Sequence, residues 1–390
     1  MRVRLAGFGG MLVITMMMST VAFFALAVVA SELQDEFSIS KLQIGLLGAI
    51  NTGVGGLLAP LGGQLSDVLG GRRAMATVLL VSGTSAVLIA SAHSYTFLLV
   101  AMGIAGVAQG LGNTSTNRAI ATGVPTAQRG ILTGIKQSGV QLAVFSAGFL
   151  MPWITSTYGW RAGIWMVAGL AFTALLGVTL ITELPAASVE DNESNADVES
   201  ARLPVFVTQV AIFGFLLGTI GGGIGRFLPL FAEEAAGFTP ADAGRVFGLQ
   251  GLVAIPTRII SGILLDRGVP ARRMLVVMAI GTSIAIVLIW LASTGAPPYL
   301  WIGTVLAGMT LGSWNTAANL SMVRERTNAG KASGRLMMGF LLGTTLGGPA
   351  VGWSIDEFES YTPAWVASAL LALVGAAVIF QQRVEQNRST

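Results

Sequence analysis

The chain has 390 residues, of which 53% are hydrophobic and 11% charged, with a mean hydropathy of +0.74. Soluble domains carry about 25% charged residues, so composition argues against a soluble enzyme. The net charge of +3, scattered over short loops, does not build a nucleic-acid-binding face, and with no cysteine and one histidine, His93, the chain has no disulfide, no thiol nucleophile and no Cys/His metal cluster.

Met1-Arg2-Val3-Arg4 precede an apolar run from Met11 to Ala30. At roughly 20 residues it has bilayer length, and the chain behind it stays membranous, so it reads as a first spanning helix and not as a cleaved signal. Runs of similar length recur around Gly53, Val81, Gly106, Val144, Gly169, Gly218, Val253, Ile284, Ala307, Gly343 and Ala372. A backbone in lipid must satisfy its own hydrogen bonds, so each is expected to be a helix, giving an all-α membrane protein of about twelve transmembrane helices. Between the sixth and seventh runs, Pro185 to Pro204 is polar and acidic, with Glu190, Asp191, Glu193, Asp197 and Glu199. It divides the chain into a six-helix half at 1–184, a linker at 185–204 and a second six-helix half at 205–390.

Basic loop residues set the expected orientation. Arg2, Arg4, Arg72, Arg73, Arg129, Arg267, Arg272, Arg273, Arg324, Arg326, Lys331 and Arg383 share one side, whereas the other side holds Glu32, Asp35, Glu36, Glu233, Glu234, Asp356, Glu357 and Glu359. Lys41, Arg161 and Arg245 are the basic exceptions there. The positive-inside rule then places both termini and the linker in the cytoplasm, in the cytoplasmic membrane. The 51 glycines exceed the ~7% average share and suit close helix packing.

Between the second and third runs lies Gly63-Gln64-Leu65-Ser66-Asp67-Val68-Leu69-Gly70-Gly71-Arg72-Arg73, a compact charged turn. A weaker copy, Gly262-Ile263-Leu264-Leu265-Asp266-Arg267-Gly268, follows at the corresponding place in the second half. Repeated segments in two like halves point to a transporter with its site between them. The chain resembles the major facilitator superfamily of secondary transporters, whose loop signature runs Gly-x-Leu-Ala-Asp-Arg-x-Gly-Arg-Lys. Gly63, Leu65, Asp67, Gly70 and Arg72 match or nearly match it, while Val68 and Gly71 stand where arginines are usual. Gly134-Ile135-Lys136-Gln137 with Gly159-Trp160-Arg161 is similar to the cyanate-permease-like, small-anion branch. The helix-4 arginine linked with proton coupling is replaced by Gly106, and the helix-5 antiporter signature is reduced to Pro152.

The resemblance implies a gate at this turn. Asp67, with Gly63, Gly70, Arg72 and Arg73, is expected to hold the cytoplasmic side shut against the helix beginning near Ser333; Asp266 and Arg267 are expected to do the same against the helix beginning near Ile131. It also implies that helices 1, 4, 7 and 10 line a central cavity. Asn113, Asn117 and Arg118 on helix 4, Lys136, Gln137 and Gln141 on helix 5, Arg226 on helix 7, and Trp314, Asn315 and Asn319 on helix 10 are the candidate substrate contacts. A charge inside a span costs at least ~2.5 kcal/mol and needs a reason. Cations without acids at depth favour an anionic small-molecule substrate. The chain is read as a monomer in the bilayer, without cofactor, metal or nucleic acid. Export of amphipathic compounds and a non-transporting sensor or scaffold are the alternatives. The chain lacks Gly-x-Ser-x-Gly, His-Glu-x-x-His and a phosphate-loop lysine, so no enzyme is expected.

Overall fold

Lipid offers the backbone no hydrogen-bond partners, and the long apolar runs answer with helix throughout the described residues. The computed structural model describes residues 2–124, 126–180, 205–323 and 329–381. The linker at 185–204 and the basic residues Arg324, Arg326 and Arg383 lie outside them. The first half comprises α1 (Arg2–Val28), α2 (Ala30–Phe37), α3 (Lys41–Ala90), α4 (Tyr95–Gly123), α5 (Thr126–Tyr158) and α6 (Trp160–Leu180). The second comprises α7 (Val205–Glu234), α8 (Pro240–Asp266), α9 (Ala271–Leu291), α10 (Pro298–Met309), α11 (Trp314–Val323), α12 (Ala329–Phe358) and α13 (Thr362–Phe380).

Among the described residues, 10 helices are long and apolar enough to cross a membrane. The 50-residue α3 crosses twice, and α10 and α11 share one crossing, so the chain makes twelve crossings in two six-helix halves.

Two local features depart from the sequence expectation. The turn at 63–73 is not an open loop: helix runs through it, and the chain reverses at Gly70, whose φ of 75° and ψ of 157° suit a residue without a Cβ. The tenth span is broken. Helix stops at Met309 and resumes at Trp314, and Gly308, Thr310, Gly312 and Ser313 around the gap supply small and hydroxylated residues. The gap is closed internally: Gly312 N–H donates to Ala307 O at 2.9 Å and Ser313 Oγ to Gly308 O at 3.0 Å. Two helices also start about one turn earlier than expected, α5 at Thr126 and α12 at Ala329.

The halves touch along seams at the end of the bundle opposite the termini, here the far side. On α3 and α12, a Cβ at Gly45 would run into the backbone of Gly348, and one at Gly352 into the carbonyl of Lys41. On α5 and α8, Gly148 lies against the backbone of Gly244 and Gly248. Toward the termini the contact is lost symmetrically. α3 buries Ile44, Leu47, Asn51 and Gly55 at its start, then Gly62 and Ser66 before the Gly70 reversal; α8 buries Ala243 to Ala254, then Ser261 and Leu265. Leu57 is 79% exposed and Val68 84% exposed on the parted stretch of α3. The bundle is therefore closed on the far side and splayed on the side of the termini.

The three basic exceptions of the far side are each paired with an acid. Lys41 Nζ lies 3.1 Å from Glu234, Arg245 Nη1 lies 2.7 Å from Asp242, and Arg161 forks onto Glu36. Trp160 is buried, unlike the neighbouring Trp153 and Tyr158, and its Nε1 donates to Glu36 Oε2 at 2.8 Å. Arg161, and secondarily Trp160, hold the Glu36 carboxyl below its usual range by hydrogen bonding.

Candidate functional site

Two fully buried cations dominate the interior, and their surroundings differ. Lys136, ten residues into α5, reaches α4, where Asn113 and Asn117 sit one turn apart on the facing side. Its Nζ donates to Asn117 Oδ1 at 2.5 Å, Asn113 Oδ1 at 2.8 Å and Thr116 Oγ1 at 3.0 Å, with Asn113 O at 3.3 Å. Three ammonium protons thus meet oxygen on every side. Gln137 Nε2 adds a donation to Asn113 Oδ1 at 3.4 Å. Lys136 is wholly enclosed, with no path from its ammonium to the water layer.

Arg226 lies eight residues before the end of α7, about 12 Å below the far surface. It is 0% exposed, and Nε, Nη1 and Nη2 have no hydrogen-bond partner among the described residues. Its guanidinium stacks on Phe23 of α1, with Cζ 4.3 Å from the ring centroid. The space it occupies is left by Gly48 of α3, where a Cβ would meet the guanidinium. The group thus crosses from the second half into the first, directly under the α3/α12 seam. Sequence reasoning picked out Arg226 but neither Phe23 nor Gly48; an aromatic in the first span and a glycine in the second were the available signals.

The remaining candidates separate from these two clusters. Arg118 approaches Asp67, Nε to Oδ1 at 3.4 Å, a contact within the first half. Asp67 is 65% exposed, and among the described residues its ion-pair partner is Arg118 of its own half and not the start of α12, where the gate expectation put it. Arg72 donates to the carbonyl of Thr179 at the end of α6, Arg73 is exposed, and the Gly63 position faces open space. Asp266 and Arg267 close α8, where the Arg267 N–H caps Ile263 O at 3.0 Å. Gln141 is buried in the α5/α8 seam, where its carbonyl lies against Gly251. Asn319 donates to Asn315 one turn away, and Trp314 packs between Phe213 and Phe340. Arg258 Nε donates at 2.9 Å to Gly312 O, a carbonyl left over by the gap in the tenth span, and its Nη1 approaches Gln137 O at 3.5 Å across the halves. The polar stripes of α4 and α11 thus turn to neighbouring partners, and they do not converge on one point.

The sequence profile of the Major Facilitator Superfamily matches residues 12–327. The chain belongs to that superfamily. Its relatives include monocarboxylate transporter 13 of Bos taurus, 24% identical over 96% of this chain and 89% of the relative. The probable nitrate/nitrite transporter NarK2 of Mycobacterium tuberculosis is 26% identical over 97% of this chain and 98% of the relative. A solved bacterial homolog of the human lysosomal transporter Spinster shares the fold with a TM-score of 0.80 at 17% identity, covering 97% of this chain and 96% of that one. As a member of the superfamily the chain is a multi-pass secondary transporter of a small solute, not an enzyme. Splayed halves with one closed end are one stage of alternating access.

Proposed function

We propose that the solute is a small organic or inorganic anion and that Arg226 is its principal contact. The observation that carries this reading is a fully buried guanidinium with three unpartnered nitrogens at the meeting of the two halves. An enclosed cation without a counter-charge costs several kcal/mol, and a carboxylate or other oxyanion is the partner its planar fork fits. Phe23 supplies an electron-rich face, worth about 2 kcal/mol when desolvated, that steadies the cation before the solute arrives. Relatives named for glycerol-3-phosphate, hexuronate and nitrate/nitrite carry solutes that are anions in water, which supports the same chemistry. The Lys136, Asn113, Asn117 and Gln137 cluster shapes the wall of the first half; Asn315, Asn319 and Trp314 do so in the second.

The reading places the chain in the cytoplasmic membrane as a monomer, termini inside, so that the splayed end faces the cytoplasm and Asp67 is in its released state. In the other state Asp67 and Asp266 meet the starts of α12 and α5. Thermal denaturation of the purified protein against nitrate, formate, acetate and a sulfonate tests the substrate class. A ligand that binds the folded state raises the midpoint, and Arg226→Met should abolish the rise. Equal shifts in both proteins, or shifts only with cationic dyes, overturn the anion reading.

A further inference from the structure

On the far side, three charges sit at the wrong ends of their own helices. Lys41 is the first residue of α3, where the helix dipole disfavours a cation. Glu234 is the last residue of α7 and Asp356 is two residues from the end of α12, where the dipole disfavours anions. Each is compensated across the halves. The Asp356 carboxylate accepts from Lys41 N–H at 3.0 Å and from Leu42 N–H at 2.7 Å, capping α3 from the other half of the molecule. Ser40 Oγ takes the next donor, Gln43 N–H, so the first turn of α3 is fully satisfied only when Asp356 is in place. Lys41 Nζ meets Glu234 at 3.1 Å, and Tyr361 donates to the same carboxylate at 2.7 Å.

We propose that Asp356, Lys41 and Glu234 form the latch of the far-side gate, and that the charge of Asp356 on the α3 amides sets how often that side opens. Parting the halves at this face leaves all three groups at helix ends that repel them and gives two α3 amides water in place of a carboxylate, so opening has an electrostatic cost that the glycine seam alone does not have. A hollow of about 280 Å³ lined by Lys41, Glu234, Ile355, Asp356, Glu359 and Tyr361 brings solvent to the latch, which makes it responsive to salt. The arrangement resembles in mirror image the role expected of Asp67 at the opposite end: an acid of one half on the amino end of a helix of the other.

The inference rests on alternating access and not on the identity of the solute, and its test needs no substrate. The chain has no cysteine, so a single Thr52→Cys substitution gives a clean reporter. Thr52 lies eleven residues below Lys41 in the seam, with its hydroxyl 3.1 Å from that of Thr345 in the other half. A membrane-impermeant maleimide applied to the face opposite the termini reacts with Cys at this position only when the far side opens. Asp356→Asn, which keeps size and removes charge, should raise the labelling rate about fivefold or more, Lys41→Gln should raise it less, and Asp356→Glu should leave it near the parent value. An unchanged rate in Asp356→Asn overturns the latch. If that variant does not fold, labelling of the Thr52→Cys parent from low to 1 M salt decides: acceleration supports the latch and a flat response overturns it.

Discussion

Lys136 and Arg226 are both cations with no exposed surface, both lie in spanning helices, and they call for opposite explanations. Lys136 is surrounded by oxygen from Asn113, Thr116 and Asn117, so its charge ties α5 to α4 and leaves nothing over for a ligand. Arg226 has an aromatic ring on one face and, among the described residues, no hydrogen-bond acceptor. Burial of a charge therefore does not mark a binding site; what distinguishes the two is the number of partners the protein itself supplies. On the proposed reading, Lys136 is satisfied by its own protein and Arg226 is left for the solute to pair.

The sharpest way to break this comparison is to remove each charge and measure stability without solute. Lys136→Met should destabilise the protein by about 3 kcal/mol, because several buried oxygens lose their donor. Arg226→Met should leave it unchanged or stabilise it by about 1 kcal/mol, because an unpaired buried charge disappears. Denaturant or thermal midpoints check both, and two losses of equal size would dissolve the distinction. A smaller effect is expected from Gly48→Ala, whose methyl group displaces the guanidinium from Phe23 without changing any charge. Solute affinity should fall about tenfold, in line with one displaced charged contact, while thermal stability changes little; solute titration measures it.

The smallest effect concerns Arg161, a satisfied cation at the far-side end of α6. Its partner Glu36 has a carboxyl pKa lowered from 4.5 by the Arg161 hydrogen bond. The stabilisation is therefore complete above pH 4.5 and is lost as the pH falls through the lowered value. Both side chains are about one-third exposed, so after solvent screening the contribution is about 0.5 kcal/mol. Glu36→Gln should remove that increment at neutral pH and flatten the acid limb of the stability profile.

Much of the architecture was legible in the sequence because bilayer thickness fixes run length, and because the Asp67 and Asp266 segments repeat. The Gly70 reversal was visible as a turn but not as a turn within helix, since Gly63 to Leu69 carry no helix-ending signal beyond glycine itself. The gap at 310–313 has no proline to announce it. The pairing of Asn113 and Asn117 with Lys136 was hidden for a different reason: spacing tells which residues share a helix face but not which neighbour that face meets. The same limit hid Asp356, which sequence reasoning counted as one more acid on the far side.

The seams at Gly45 with Gly348 and at Gly148 with Gly244 join backbone to backbone. Where side chains cover a contact, rotamers can follow a receding neighbour and the attraction fades by degrees. Bare peptide has no such reach, and a gap of about 1 Å already forfeits up to about half of the dispersion between packed atoms. Such a joint behaves like a snap fastener, with few half-released arrangements between shut and free. Leakage of water or protons through a slightly loosened joint is thereby kept low, and larger residues along these stripes would trade that abruptness for a leaky, gradual hinge.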